Sequence, residues 1–202
     1  MELQKKILIP PYFGPISHWM EIHNSKIFWD IHQNYEKQSY RNRTFIHSAN
    51  GVLKLTVPIK HSIYKFSLKD SIIDNSIRWQ DNHWKSIKTA YSSSPYFEYY
   101  RDSIKDLFTN KFDNLLDLNF KTFEIVCSWL DIKIHFEMSS KFNEKYVDDI
   151  DLRHLINHKH EIKININKYV QVFSEKNGFI NNLSIMDLIF NEGPNSLFFL
   201  KK

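Results

Sequence analysis

The first 31 residues constrain the fold of this chain most strongly. Residues 6–9 form a short aliphatic run that stops at two prolines, and residues 26–31 are again rich in β-forming side chains. Between these runs, residues 16–23 carry apolar side chains at helical spacing. The pattern predicts a strand, a helix and a second strand. A unit of about 30 residues favours parallel pairing of the two strands.

The chain changes character near residue 80. Before that point, two apolar runs flank Ala49-Asn50-Gly51, and Asn-Gly between such runs predicts a β-hairpin. After it, residues 81–91, 95–108 and 116–130 each place apolar side chains at helical spacing. We therefore expect three central helices.

The last third of the chain is predicted to close the fold. Residues 161–167 alternate in polarity and are expected to be extended. Residues 183–190 are expected to form a final helix that ends before Gly193-Pro194. Together these patterns predict an α/β or α+β fold with an N-terminal mixed sheet that begins with βαβ and carries a hairpin, central helices and a C-terminal strand–helix closure.

Composition limits the class of protein. Of the 202 residues, 42% are hydrophobic and 15% are aromatic, which supplies a core and excludes intrinsic disorder. We expect one domain over residues 1–202, with a strand-rich half at 1–80 and a helix-rich half at 81–202. The single cysteine, Cys127, excludes a disulfide framework and a cysteine-based zinc site.

The net charge is only mildly basic, at +4 from 27 Lys and Arg against 23 Asp and Glu. A dedicated nucleic-acid-binding protein usually shows a basic stripe and more arginine, so we expect no nucleic-acid partner. No apolar run approaches the roughly 18 residues of a membrane span, and the N-terminus lacks a signal-peptide core. We therefore predict a cytoplasmic protein without a membrane span, and the oligomeric state stays open.

The segment from Lys37 to Arg43 is the strongest candidate for a binding site. If it is extended, one face carries Tyr35, Lys37, Ser39, Arg41 and Arg43. Arginine forks match phosphate or carboxylate oxygens, and lysine adds a point charge. We predict that Lys37, Arg41, Asn42 and Arg43 bind a small anionic substrate such as a nucleotide sugar. The alternatives are a solvated strand face, or arginines paired with Asp30, Glu36 or Asp70.

Two histidines are candidates for acid–base catalysis. His18 lies in the first turn of the helix that follows the first strand, where open α/β sheets bind ligands. His83 lies near the start of the first central helix. Histidine titrates near neutral pH and can take a proton from an attacking amine. For both residues, local packing is the alternative role.

Three tyrosines are further candidates for substrate binding. Tyr12 follows the first strand, Tyr91 ends the first central helix, and Tyr96 belongs to a tyrosine cluster at the start of the second. Tyrosine rings stack on a base or sugar while their hydroxyls form hydrogen bonds. The alternative is an aromatic core between helices.

A histidine-rich segment raises the question of a metal site. His154 and His158 are four residues apart, and His160 follows. No Glu stands between them in a His-Glu-x-x-His arrangement, and no third ligand is defined. We therefore expect an exposed loop there, and we predict no metal and no cofactor.

Motifs along most of the chain resemble the WbqC-like protein family. The motifs are residues 37–43, Ala49-Asn50-Gly51, residues 55–58, Trp79, His83-Trp84, Ala90-Tyr91, residues 94–100, Tyr169, residues 171–173, Gly178-Phe179, residues 182–184 and residues 187–194. They occur in the family's order and span residues 10–194.

The resemblance implies a cytoplasmic bacterial protein of surface-polysaccharide biosynthesis, of the O-antigen type. It also implies a transferase that adds glycine or another acyl group to an amino sugar. With the basic segment, this points to a phosphate-bearing substrate. A non-catalytic binding or assembly protein is the alternative, in which the basic segment and the tyrosines form a protein interface.

Overall fold

The computed structural model describes residues 4–158 and 166–201. The elements, in chain order, are β1 (Lys6–Leu8), α1 (Ile16–Ile22), β2 (Ile27–Trp29), β3 (Arg43–Ser48), β4 (Gly51–Thr56), α2 (Trp79–Tyr91), α3 (Phe97–Thr109), α4 (Leu115–Trp129), β5 (Phe136–Met138), β6 (Ile150–Asp151), a 3-10 turn (Arg153–Ile156), α5 (Ser174–Asn177), α6 (Ile185–Glu192), a second 3-10 turn (Gly193–Asn195) and α7 (Ser196–Phe199). Most of the predicted extended segment, residues 161–165, lies outside the described residues.

Four short strands form a parallel sheet in the order β5-β2-β1-β6. Strands β1 and β2 pair in parallel, with Ile7 opposite Phe28, which confirms the βαβ start. Strand β6 pairs with the free side of β1, and β5 pairs with the free side of β2, both in parallel. Because all strands point the same way, their carboxyl ends meet at one edge of the sheet, which we call the carboxyl edge.

The predicted hairpin is present as a second, two-stranded sheet. Strands β3 and β4 pair antiparallel, with Ser48 opposite Gly51. Gly51 has a φ of 92°, a left-handed conformation that glycine adopts without strain. The fold is thus mixed α/β, as predicted, with its parallel and antiparallel parts in different sheets.

The central helices occur where the hydrophobic spacing predicts them, as α2, α3 and α4. The N-terminus of α4 is capped by Asn114, whose side chain accepts a hydrogen bond from the backbone N–H of Leu116 at 2.7 Å. The buried apolar cluster extends from Leu8 to Leu200, so both halves of the chain contribute to it. Every helix in residues 4–158 and 166–201 is too short or too polar to cross a bilayer.

The C-terminal segment closes over the first loop of the chain. Residues 183–185 form backbone hydrogen bonds with residues 14–16 and with Phe45. Helix α6 then begins, and Ser184 caps it by accepting from the backbone N–H of Met186. These hydrogen bonds join the start of α6 to both the βαβ unit and the hairpin.

Candidate functional site

The basic segment 37–43 is a turn-rich loop, which corrects the extended conformation expected from its alternation. Its backbone bends at Gln38, which has a φ of 65°, and strand geometry begins only at Arg43. Without a pleat, alternate side chains do not share a face. The loop consequently brings Lys37 and Arg43 to one cavity and Arg41 to another.

The first cavity, which we call the loop cavity, lies between residues 35–43 and residues 56–66 and has a volume of about 420 Å³. This volume is typical of small-molecule sites. Its cationic lining residues are Lys37, Arg43, Lys60 and Lys65. None of its lining residues, all within the described part of the chain, is Asp or Glu. A concave surface with charges of one sign attracts ligands of the opposite sign, so this cavity favours anions.

Three buried polar atoms around the loop cavity have no hydrogen-bond partner among the described residues. They are Nε of Arg43, Oδ1 of Asn42 and Oγ1 of Thr56. The other amide atom of Asn42, Nδ2, donates to the carbonyl of Val57 at 2.7 Å and ties the loop to the end of β4. Unpaired buried polar atoms lower stability, so their concentration at one cavity indicates a place where another group completes the pairing.

An aromatic pair forms one side of the loop cavity. The rings of Tyr35 and Phe66 stack with their centres 5.2 Å apart. Burial raises the pKa of Tyr35 to about 12, although the neighbouring arginines oppose the shift. The phenol is therefore protonated at neutral pH and donates a hydrogen bond. His61 also lines the cavity, with Nε2 3.4 Å from Nζ of Lys37.

The second cavity, which we call the edge cavity, lies at the carboxyl edge of the parallel sheet and has a volume of about 550 Å³. It is lined by Ile9, Gln33, Glu36, Arg41, Asp151, Arg153, His154, Ile156 and Asn157. Its ionic lining residues are Arg41, Arg153, Glu36 and Asp151, which balance in charge. Its electrostatic character therefore differs from that of the loop cavity.

Arg41 is the member of the predicted anion site that lies in the edge cavity. Its side chain is buried, its Nη1 donates to Oγ of Ser39 at 3.1 Å, and the same nitrogen lies 3.6 Å from a carboxylate oxygen of Glu36. Burial lowers the pKa of Arg41, and the carboxylate of Glu36 opposes this effect. The side chains of Lys37, Arg41 and Arg43 therefore do not surround one common ligand position.

His18 lies inside the core, fully buried on α1. Its ring stacks on Trp29 with an interplanar angle of 6° and a distance of 6.4 Å between ring centres. Burial lowers its pKa to about 4, so the imidazole is neutral at pH 7. The expected anion position at the start of α1 is occupied, because Ile16 N–H donates to the carbonyl of Leu183 and Ser17 N–H donates to Oδ1 of Asn182.

His83 and Tyr12 form a hydrogen-bonded pair in the core. The Nε2 of His83 donates to the carbonyl of Thr56 at 3.2 Å, so the neutral ring accepts at Nδ1 from the hydroxyl of Tyr12 at 2.9 Å. Burial lowers the pKa of His83 to about 4 and raises that of Tyr12 well above its ordinary value. Both polar tips are satisfied internally, and the geometry favours a structural role for each.

Tyr91 belongs to a buried network around Asp187 on α6. Its hydroxyl donates to Oδ1 of Asp187 at 2.8 Å, while Tyr169 donates to Oδ2 at 2.6 Å. Gln171 donates to the same Oδ2 at 3.0 Å. Burial raises the pKa of Asp187, and these hydrogen bonds oppose the rise. The network links α2, α6 and the segment before α5, and it lies away from both cavities.

Tyr96 packs against the backbone of Gly193, just beyond the end of α6. A Cβ atom at residue 193 would lie 2.5 Å from the Tyr96 ring, so this position accepts only glycine. Gly193 also has a φ of 54°, in the left-handed region. The contact explains the Gly-Pro motif structurally and places Tyr96 outside the loop cavity.

The predicted histidine-rich segment is only partly described. His154 lines the edge cavity, and the ring of His158 packs near Tyr40 and Phe45. His160 lies outside the described residues. Within residues 4–158 and 166–201, no three His, Cys, Asp or Glu side chains are grouped to hold a metal ion.

Sequence reasoning missed the second wall of the loop cavity, residues 56–66, with Lys60, His61 and Lys65. A signal was present: no Asp or Glu occurs between Glu36 and Asp70, and the stretch between them holds seven Lys or Arg. Such a run concentrates positive charge wherever it folds. The contact of residues 56–66 with residues 35–43, however, depends on tertiary packing.

Comparisons with known proteins agree with the motif analysis. A model of the WbqC-like protein family matches residues 10–171, so the resembling motifs after residue 171 lie outside the match. A curated relative from Mycobacterium tuberculosis, "Uncharacterized protein Rv1507c", is 23% identical over an alignment of length 197, and the aligned part covers 83% of this chain and 84% of the relative. Among solved structures, none matches. Because the family model spans well over half of its residues, the chain belongs to the WbqC-like protein family.

Proposed function

We propose that the loop cavity binds a phosphate-bearing small molecule such as a nucleotide sugar. The observation that carries this proposal is the group of four cationic side chains around one cavity with no carboxylate among its described lining residues. The guanidinium of Arg43 suits two oxygens of one phosphate, while the lysines add point charges. Such a ligand would also supply hydrogen-bond partners for the buried polar atoms of Asn42 and Thr56.

The aromatic side of the cavity supports a ligand with a sugar or a base. Rings such as those of Tyr35 and Phe66 stack on flat or apolar faces, and a protonated tyrosine hydroxyl donates to a ligand oxygen. A nucleoside diphosphate linked to a sugar has a flat base, a sugar with hydroxyl oxygens, and two negative phosphates. It therefore fits the cavity better than a simple anion does.

In this proposal the protein is a cytoplasmic transferase of bacterial surface-polysaccharide biosynthesis. It would transfer an acyl or glycyl group to the amine of a nucleotide-linked amino sugar. The new C–N bond forms as the bond to the leaving group breaks, and a base takes the proton from the amine. His61 is better situated for this step than His18 or His83, because it lines the loop cavity whereas they lie in the core.

A thermal-shift screen with nucleoside diphosphates and nucleotide sugars tests the proposal. A ligand present at about a hundred times its Kd stabilises a folded protein by about 2.7 kcal/mol. For a chain of this length, that raises Tm by roughly 5–11 °C. We expect a nucleotide sugar to give a larger shift than the corresponding monophosphate.

Two matched variants locate the binding site. Arg43→Gln removes a cation of the loop cavity and should abolish most of the shift. Lys54→Gln removes an exposed cation of β4 that does not line the cavity, and it should leave the shift intact. No shift with any nucleotide, or equal shifts in both variants, would rule out the loop cavity as the site.

The rim of the loop cavity favours a second candidate function. Ile63 is 92% exposed and Tyr64 is 76% exposed, so apolar surface lies beside the cationic side chains. Aromatic and cationic side chains together are typical of interfaces with acidic protein segments. A non-catalytic assembly protein would capture an acidic partner in pull-downs, and Tyr64→Ser would weaken that capture while nucleotides would give no thermal shift.

A further inference from the structure

The edge cavity lies where the strand order of the parallel sheet reverses. From β1 the chain builds outward through β2 to β5, and it then returns to the other side of β1 as β6. Ile9, directly after β1, lines the cavity, as do Asp151 at the end of β6 and Arg153 just beyond it. In open α/β sheets, the crevice outside the carboxyl ends at such a reversal is the usual ligand position.

The edge cavity lacks the parts that bind a dinucleotide at this position. The loop after β1 reads Ile9-Pro10-Pro11, without the glycine fingerprint that brings backbone close to a diphosphate. The first N–H groups of α1 are already bonded to residues 182–183. Among the cavity's described lining residues there is no Phe, Tyr or Trp to stack on a base. The cavity therefore suits a small polar ligand.

The two arginines of the edge cavity differ in how fully they are paired. Arg153 donates to Asp30 at 2.9 Å, binds both oxygens of Asp151, and reaches the carbonyls of Asn143 and Glu144. These contacts hold Arg153 as a fixed part of the wall. Its donors are therefore largely used inside the protein.

Arg41 retains donors that the protein does not use. Within the described part of the chain, its guanidinium donates to the hydroxyl of Ser39 and lies 3.6 Å from the carboxylate of Glu36, which is longer than a hydrogen bond. The carboxylate of Asp30 acts on Arg41 only through its charge. Nε of this buried side chain has no hydrogen-bond partner among the described residues. The side chain of Glu36 is 62% exposed and retains acceptor capacity. Arg41 and Glu36 thus form a loose ion pair at the cavity, in which the guanidinium keeps donor capacity and the carboxylate keeps acceptor capacity for a ligand.

We propose that the edge cavity binds a zwitterionic α-amino acid. Its carboxylate would accept from the guanidinium of Arg41, and its ammonium would donate to the carboxylate of Glu36. The charge balance of the lining favours a ligand of zero net charge that carries both signs, and the volume of about 550 Å³ leaves room for an amino-acid side chain. This site is separate from the loop cavity and does not depend on the function proposed there.

The test is protein-observed NMR of the full chain with labelled isoleucine methyls. Ile9 and Ile156 line the edge cavity, whereas Ile59 and Ile63 line the loop cavity. The common α-amino acids are titrated up to the order of 10 mM, which detects weak binding. We expect at least one to shift Ile9 and Ile156 saturably without shifting Ile59 or Ile63.

Analogues of the amino acid that binds separate the two charged contacts. The amine without the carboxylate and the acid without the amine should each bind at least about tenfold more weakly, since each loses a charged hydrogen bond. Glu36→Gln, at an exposed side chain, keeps the fold and should weaken binding about tenfold. Lys54→Gln is the matched control and should bind as the unmodified chain does.

Several results would overturn this proposal. They are no saturable shift of Ile9 and Ile156 with any amino acid, equal binding of an analogue that lacks one charge, or unchanged affinity in Glu36→Gln. Arg41→Gln, if folded, should show the largest loss. Because the loop-cavity methyls are observed in the same spectra, failure of this proposal is distinguishable from failure of the nucleotide-sugar site.

Discussion

The two cavities use the same kinds of side chains in opposite ways. In the loop cavity, Lys37, Arg43, Lys60 and Lys65 meet no carboxylate among its described lining residues. In the edge cavity, Arg153 is bonded to Asp30 and Asp151, and it helps to hold the sheet's carboxyl edge together. We propose that the cations of the loop cavity attract a ligand, whereas Arg153 in the edge cavity has a structural role. Whether a charge is paired, more than whether it is present, decides which role it has.

The largest expected effect comes from the paired arginine. Arg153→Met leaves the fully buried carboxylate of Asp30 without its cation, and breaking a buried pair costs about 3–5 kcal/mol. Urea denaturation measures the free energy of unfolding of this variant. As the matched change, Arg43→Met should cost less than about 1 kcal/mol, because Arg43 forms no ion pair within residues 4–158 and 166–201. Equal losses in the two variants would contradict the distinction between the cavities.

The two cavities can be compared only in the folded protein, and acid should lower its free energy of unfolding. The folded-state pKa of His18, about 4, lies below the value of about 6.5 in the unfolded chain. Its contribution to stability is therefore complete above about pH 6.5 and declines as the pH falls towards 4. Between pH 7 and pH 5 the loss should be about 2 kcal/mol, and His83 should behave alike.

The variant His18→Phe isolates this effect, since it keeps a ring on Trp29 and removes the titrating group. Its loss of stability from near pH 7 to near pH 5 should be smaller than that of the unmodified chain by about 2 kcal/mol. Asp187, whose raised pKa acts in the opposite direction, is unchanged in both proteins and cancels in the difference. Identical pH profiles would contradict a buried neutral His18.

Salt should affect ligand binding at the two cavities differently. Pyrophosphate binding at the loop cavity should weaken about three- to tenfold between roughly 0.05 M and 0.5 M salt, because screening shortens the reach of the four cations that line it. Amino-acid binding at the charge-balanced edge cavity should change by less than about twofold. Calorimetric titrations at both salt concentrations make this comparison. If both ligands lose affinity by the same factor, the two cavities do not differ in their electrostatic attraction for ligands.

The smallest effect is expected from the exposed lysines of the loop cavity. Lys60→Gln should change the free energy of unfolding by at most about 0.5 kcal/mol, because the attraction of Lys60 to Asp74 and its repulsion from the other cations of the cavity oppose each other. Thermal unfolding in low salt measures this, with Lys54→Gln on β4 as the control. A loss of more than about 1 kcal/mol in Lys60→Gln alone would contradict this balance.

Local patterns predicted the elements well. The βαβ start, the hairpin at Asn50-Gly51 and the three central helices follow from hydrophobic spacing and turn chemistry, which act between neighbours in the chain. The family resemblance was also readable from the motifs, and the family match over residues 10–171 confirms it. The boundaries differ by a few residues where caps such as Asn114 and Ser184 start a helix.

The candidate sites were predicted only in part. Lys37, Asn42 and Arg43 do line one cavity, but the extended segment that would have joined Arg41 to them is a bent loop. His18 and His83 were candidates because histidine is a common catalytic residue. The residue type does not show whether the side chain is buried. Both rings lie in the core because their helix faces pack against distant segments.

Two features of this protein follow from its amino-acid sequence alone. One is a cationic stretch without acidic residues from Lys37 to Lys69, and the other is a set of short helices and strands that form locally. The assignment of each cation to a cavity, a carboxylate or the solvent arose only on folding. Residues 56–66 and 151–157 provide the facing walls, and their approach to residues 35–43 depends on long-range packing. Charge is a property of single residues, whereas pairing is a property of two residues that the chain must first bring together.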